Sequence, residues 1–269
     1  MKKTTRFFLS VIFITAVLVA CGPQSQTAEI EGMEFDSVVV DSVARLLDIP
    51  DAPTCELSLS IQYAKGGKAE QINDTLLRSG ILTPDYLSLD QRKLTVKESV
   101  DSFVCRYITD YLKDYRDLYI SDRDHGASYN CIYKVKTRTR SNKMNVLNYI
   151  AEIFSYGGGA HGIKQTLVRN FDVKTGHLIT LDDLFVSGYE DAMKAKIVEK
   201  MSSKFKVKDL QALQDKYIFA DSHVYVPENF ILEDNKIIFI YCEDEIAPHD
   251  VGEIRLTFYK GEISTYLKQ

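Results

Sequence analysis

Residues 155–162 read Ser-Tyr-Gly-Gly-Gly-Ala-His-Gly and set one imidazole, His161, among four glycines and an alanine. Three kinds of chemistry use such a stretch. A phosphate cradle needs its glycines between a strand and a helix, so that backbone amides and the helix dipole converge on the anion. Here the residues that follow, IKQTLVRNFDV, have the pattern of a strand, and no Lys-Ser/Thr pair succeeds the glycines. A nucleophile elbow needs a serine framed by glycines, whereas Ser155 precedes them. What remains is conformational: consecutive glycines permit positive φ and close backbone approach. The stretch is therefore either a packed turn or a contact loop that offers Tyr156, Gly157, Gly158, Gly159 and His161 to a ligand.

A second histidine, His249, follows Glu-Ile-Ala-Pro in a loop and joins the ligand-binding candidates. Nothing in the spacing of His161 and His249 asks for a metal, and no CxxC or Cys/His cluster is present, so neither a metal site nor a cofactor is expected. Asp182-Asp183 and Glu243-Asp244-Glu245 have the residue types of glycoside hydrolysis. However, Asp183 stands at capping-box distance from Thr180, and adjacent acids on a strand point to opposite faces. No catalytic residue is assigned. A hydrolase of envelope polysaccharide or peptidoglycan, using His161 and a carboxylate, is the alternative to a binding protein.

These side chains need a scaffold, and the hydropathy pattern supplies one. Cys55 to Ala64 alternates with period two, and Lys68 to Ser79 is helical up to the stop signal Gly80. Thr95 to Tyr115 spaces Val100, Phe103, Val104, Tyr107, Tyr111 and Leu112 as the buried stripe of a helix, a core-packing pattern rather than a cofactor box. Tyr129–Arg140 and Met144–Tyr156 form a hairpin, and Ile163–Val173 adds a third strand after the glycines. Helical patterns over Tyr189–Phe205 and Leu210–Lys216 precede strands about an Asp234-Asn235 turn and a last strand, Glu253–Tyr259. Strand runs with helices inserted imply an α+β fold: a mainly antiparallel sheet with helices packed on it, in two intertwined subdomains.

The N-terminus carries Lys2, Lys3 and Arg6 before an apolar run, Phe7 to Ala20, that is too short for a permanent span and suits a secretory signal. Leu-Val-Ala-Cys-Gly at 18–22 resembles a bacterial lipobox, which implies lipid on Cys21 and attachment to a membrane by that lipid. The expected divisions are a signal peptide at 1–20, a flexible tether at 21–45, an N-terminal subdomain at 46–160 and a C-terminal one at 161–269. Gly22-Pro23-Gln24-Ser25 lacks an acidic run, which points to the outer membrane and the periplasmic side. Of the 33 Lys and Arg, three lie in the signal, leaving 30 against 38 acids and a net charge of −8. That balance argues against nucleic acid and favours a cationic partner. Cys55, Cys105, Cys131 and Cys242 allow three complete disulfide pairings, or buried free thiols.

The segments YGGGAHG, NFDVKTGHLITLDDLF and IYCEDEIAPHDVGEIRLTFYKGEISTYL, in that order, resemble the paired extracytoplasmic domains of unknown function found in lysozyme-sensing anti-sigma factors and beside the catalytic domain of peptidoglycan deacetylases. The resemblance spans residue 50 to the C-terminus. It implies an α+β sensor-like or binding module of the cell envelope, with lysozyme, which this region binds in the anti-sigma relatives, or a cell-wall glycan as its partner. The chain departs from both relatives: a lipobox stands where the sensors have a transmembrane helix, and no deacetylase domain is present.

Overall fold

The computed structural model describes residues 32–86, 94–220 and 222–268. The stretch expected to be a signal peptide, Cys21 and the first part of the expected tether lie outside the described residues. The fold is α+β. Six strands make the principal sheet in sequence order: β1 (Glu34–Arg45), β2 (Thr54–Lys65), β3 (Cys131–Ser141), β4 (Val146–Tyr156), β5 (Ile163–Asp172) and β6 (Leu178–Ile179). All neighbours are antiparallel except β2 and β3, which run parallel with Cys55 opposite Cys131. A second antiparallel sheet holds β7 (Phe230–Leu232), β8 (Lys236–Tyr241) and β9 (Ile254–Tyr259).

Two expected divisions change. The second half of the tether is strand β1, paired with β2 from Glu34↔Lys65 to Arg45↔Thr54. Its consecutive valines, Val38 to Val40, break strict alternation, and Val39 remains 65% exposed on the outer face, so the period-two signal of a half-buried strand is weak there. The boundary at 160 also fails, because β5 continues the same sheet and its Phe171 is buried in the N-terminal core. Ladder pairing across the glycine turn, from Ser155↔Ile163 to Val146↔Asp172, outweighs the local break in hydropathy.

On one face of the sheet lie α1 (Ala69–Leu77) and α2 (Val96–Ser121). α2 starts at Thr95, whose N–H donates to Glu98 Oε2 (2.8 Å) while its Oγ1 accepts from Glu98 N (3.3 Å). The helix buries Val100, Phe103, Val104 and Tyr111. Phe103, Tyr107 and Tyr133 form an aromatic cluster with centroids 5.4–5.9 Å apart, and full burial of such a ring contributes about 1.5–3 kcal/mol. The stripe is core, and it runs past Tyr115 to Ser121.

The other face receives β7–β9 together with α3 (Leu181–Leu184), α4 (Glu190–Phe205) and α5 (Leu210–Gln214). Residues 146–151 of β4 are all buried because the strand is covered on both sides. The four cysteines after residue 32 are free thiols. Cys55 donates to Cys131, which brings the Cys131 thiol down to about 7 and pushes Cys55 far up, and Tyr107 Oη lies 3.3 Å from Cys131 Sγ.

Candidate functional site

The glycine-rich stretch is the turn between β4 and β5, and its glycines serve different ends. At Gly158 φ is +77° and a Cβ would lie 1.8 Å from the carbonyl oxygen of Ser128, so the turn rests backbone-to-backbone on the segment before β3. At Gly162 a Cβ would meet the Phe154 ring at 2.4 Å. Gly157 and Gly159 face open space, with nothing nearer than 4.0 Å to a Cβ. The stretch is thus a packed turn at two positions and an exposed one at the others. Tyr156 closes β4 half-buried, opposite Ile132.

His161, exposed on this turn, stacks face to face on His249, with centroids 3.7 Å apart and planes 5° from parallel. The two histidines, 88 positions apart in sequence, share one site. His249 begins a short 3-10 turn, His249–Val251. Its Nδ1 lies 3.1 Å from Asp244 Oδ2 and 3.1 Å from Glu243 Oε1. Glu243 also accepts from the N–H of Lys164 on β5 at 3.4 Å. One ligand atom from each of His161, Asp244 and His249 falls within 4.8 Å of the others.

The acids were expected on a strand, pointing to opposite faces. Instead β8 ends at Tyr241 and they occupy a tight turn. Asp244 takes φ +63°, a left-handed conformation its short polar side chain tolerates, and the reversal brings Glu243 and Asp244 to one imidazole. Glu245 holds the turn: its Oε2 accepts from Cys242 N at 2.6 Å and its Oε1 accepts from Tyr225 Oη. A run of acids five residues before a histidine, in a loop broken by proline, is the only trace of this arrangement in the sequence. Asp182-Asp183 stays apart. Asp183 Oδ2 accepts from Thr180 N (2.8 Å) and Oγ1 (2.8 Å), the capping role its spacing implied.

Beside the cluster, a cleft of about 610 Å³ runs between β5 and the segments flanking β7 and β8. Glu228, Glu243, Asp244 and Glu245 line it, against one basic residue, Arg169. The Arg169 guanidinium donates to the carbonyls of Val168 (2.8 Å) and Ser79, which turns its donors toward backbone. Cys242 also lines the cleft, but burial pushes its thiol up to about 11, unsuited to nucleophilic work. Among the described residues neither His161 nor His249 hydrogen-bonds a serine, threonine or cysteine. A larger cleft, about 910 Å³, opens between α1 and the start of α2 and shares no lining residue with the histidine site.

The turn of acids and His249 lies within a stretch that also has sequence relatives. Residues 182–259 match the family model described as "Protein of unknown function (DUF3298)". A DUF3298 domain is present there. It contains Glu243, Asp244 and His249, whereas His161 lies outside the match. Two solved DUF3298 structures resemble most of the chain. One, from Bacteroides fragilis NCTC 9343, is 25% identical over 88% of this chain and 95% of that one, with a TM-score of 0.76. Another, from Pseudomonas aeruginosa PAO1, is 15% identical over 88% and 94%, with a TM-score of 0.55, and shows the fold alone. No curated protein matches the sequence. The likeness to solved DUF3298 structures therefore extends well beyond residues 182–259.

Proposed function

We propose that the chain is a lipid-anchored, non-enzymatic binding protein of the cell envelope, exported, acylated at Cys21 and held at the outer membrane facing the periplasm. Its acidic cleft and the adjoining glycine-rich turn receive a cationic protein such as lysozyme. The observation that carries this reading is the cleft itself: four carboxylates against one guanidinium engaged by backbone carbonyls. With a net charge of −8 after the signal, the field around such a cleft speeds encounter with a cationic surface and repels an anionic one. His161, close to Asp244 of the cleft lining, and Tyr156, at the end of β4, are the contact residues of the turn. Among the described residues no helix is long and apolar enough to cross a membrane; the lipobox-like stretch at 18–22 is what supports attachment through lipid on Cys21.

The hydrolase alternative draws on the same histidine and carboxylate cluster. General acid–base work at a polymer bond calls for a base within reach of a reacting group in a water-poor site. His161 is exposed and the cluster sits at the rim of the cleft, a geometry better suited to contact than to proton transfer. The test is calorimetric titration of the full chain with lysozyme and, separately, with peptidoglycan fragments, at low and at high salt. Lysozyme should bind at low salt, weaken about tenfold or more in high salt, and bind less tightly to Glu228→Lys. Binding only to the glycan fragments would move the assignment to the cell-wall polymer. No heat with either ligand would end the binding proposal.

A further inference from the structure

We propose that His161, Asp244 and His249, with Glu243 as fourth donor, form a site for a divalent transition-metal ion of the zinc class that pins the glycine-rich turn to the segment after β8. In a tetrahedral zinc site the metal–ligand bonds are about 2.0–2.2 Å, which sets neighbouring donor atoms roughly 3.3–3.6 Å apart. Both carboxylates already lie at 3.1 Å from His249 Nδ1, close to that spacing. Including His161, no pair among the three principal donors exceeds 4.8 Å, so closing the set requires a contraction of about an ångström.

The stacked rings show where the movement must occur. Lone pairs of parallel imidazoles run side by side and do not converge, so one ring must turn about its side-chain bonds to share an ion. His249 is held by Glu243 and Asp244. His161 is exposed and, among the described residues, makes no hydrogen bond, and it rides on a turn with open space at Gly157 and Gly159. The His161 ring is thus the mobile donor, Asp244 and His249 already lie in place, and Glu243, 3.1 Å from His249 Nδ1, must turn to join them.

Donor chemistry selects the ion class. Two imidazoles and two carboxylates suit zinc, with copper as the stronger competitor, whereas calcium and magnesium take oxygen donors. Two carboxylate charges balance a dication. Four protein ligands complete a tetrahedron, the mark of a structural site. The Lys164 N–H to Glu243 hydrogen bond orients that carboxylate from outside the donor set. The site shares His161, Glu243 and Asp244 with the proposed protein-binding surface, but zinc binding can be read without any protein partner.

The test uses the purified full chain, stripped with chelator and titrated with zinc chloride against a chromophoric competitor. Cobalt chloride is added in a parallel sample, where tetrahedral coordination gives an intense visible band. One equivalent of zinc should bind. His161→Ala and His249→Ala should each weaken it about tenfold or more and abolish the cobalt band. His125→Ala, which alters an exposed histidine elsewhere, should change neither. Zinc should raise the melting temperature of the wild type and of His125→Ala, but not of the two site variants. Because His161 is exposed, His161→Ala should melt like the metal-free wild type, which separates lost ligation from lost folding. Zinc binding that is absent, or equally strong in His161→Ala, would overturn the proposal.

Discussion

The two faces of β4 are closed in different ways. Toward α1 and α2 the strand sends Leu147, Tyr149, Ala151 and Ile153 into an apolar core. Toward the second sheet it sends Val146, Asn148 and Ile150, and there asparagines do the joining. Asn170 on β5 donates to Phe230 O (2.8 Å) and accepts from Leu232 N (3.2 Å). Asn148 Nδ2 donates to Asn170 Oδ1 (2.8 Å) and Leu232 O (3.0 Å), and Asn142 Nδ2 reaches the same carbonyl at 3.0 Å. Asn229 accepts from Val168 N (2.9 Å) and donates to Thr166 O (2.7 Å), so it satisfies β5 groups on the edge that short β6 does not reach. Apolar contact is non-directional and tolerates sliding, whereas these amides fit one register only. The second sheet is docked by address, and the histidine site depends on that address because His161 and His249 come from opposite partners.

The largest expected effect tests that contrast directly. Asn170→Leu would fit the burial but leave Phe230 O, Leu232 N and Asn148 Nδ2 each short of a partner. At about 1–3 kcal/mol per stranded group, and without full additivity, the loss should be about 3–5 kcal/mol. Ile150→Val, on the same face, should cost about 1 kcal/mol. Urea unfolding of both variants measures this, and near-equal losses would break the claim that the two faces differ in kind.

The β4–β5 turn touches both partners, so it sharpens the comparison. Its hold on the N-terminal side is steric, through Gly158 against Ser128. Gly158→Ala introduces a Cβ at φ +77° and forces backbone apart, for an expected loss of about 2–4 kcal/mol. Gly157→Ala, with open space around it, should stay within about 0.5 kcal/mol. Thermal melts decide it. Equal destabilisation by both would mean that the turn responds as a whole to loss of flexibility, and that Gly158 has no special contact.

Hydropathy and turn residues made the N-terminal half legible. β2, the stripe of α2 and the β3–β4–β5 meander follow from alternation, helical spacing and the glycine turn. What escaped shares one physical cause: it is decided between segments distant in the chain. β1 is ordered by pairing along β2, although its own pattern is blurred. The docking asparagines look like ordinary surface or turn residues until the second sheet arrives. His161 and His249 were each marked as candidates, but their stacking depends on the left-handed Asp244 turn and on docking of the two sheets, neither of which any local window contains.

The smallest expected effect concerns pH. The amides that dock the sheets are neutral, so the docking should be insensitive to acid, whereas the turns on either side of β6 rely on carboxylates. Asp172 Oδ1 accepts from Thr175 N (2.9 Å) and Lys174 N (2.8 Å). Chiefly the Thr175 N–H, then that of Lys174, holds its carboxyl below the usual range, and Asp183 is lowered first by the Thr180 N–H. For a carboxyl whose folded pKa lies below its unfolded value, the stabilisation is complete above the ordinary carboxylate range and disappears as pH falls through the folded value. Asp172→Asn keeps an acceptor but has no charge to lose. Its melting temperature should lie below the wild type's at pH 7, and the gap should narrow steadily as pH falls through 4 and below, because protonated Asp172 no longer outperforms the amide. Asp172 is half-buried on a surface turn where water still screens its charge, so the gap should be small, within a few degrees. Asn170→Leu, run beside it, should keep a constant deficit over the same range. A deficit for Asp172→Asn that is equally constant would show that the β5–β6 turn contributes through geometry alone, and that charge plays no part in separating the acid response of the turns from that of the docking.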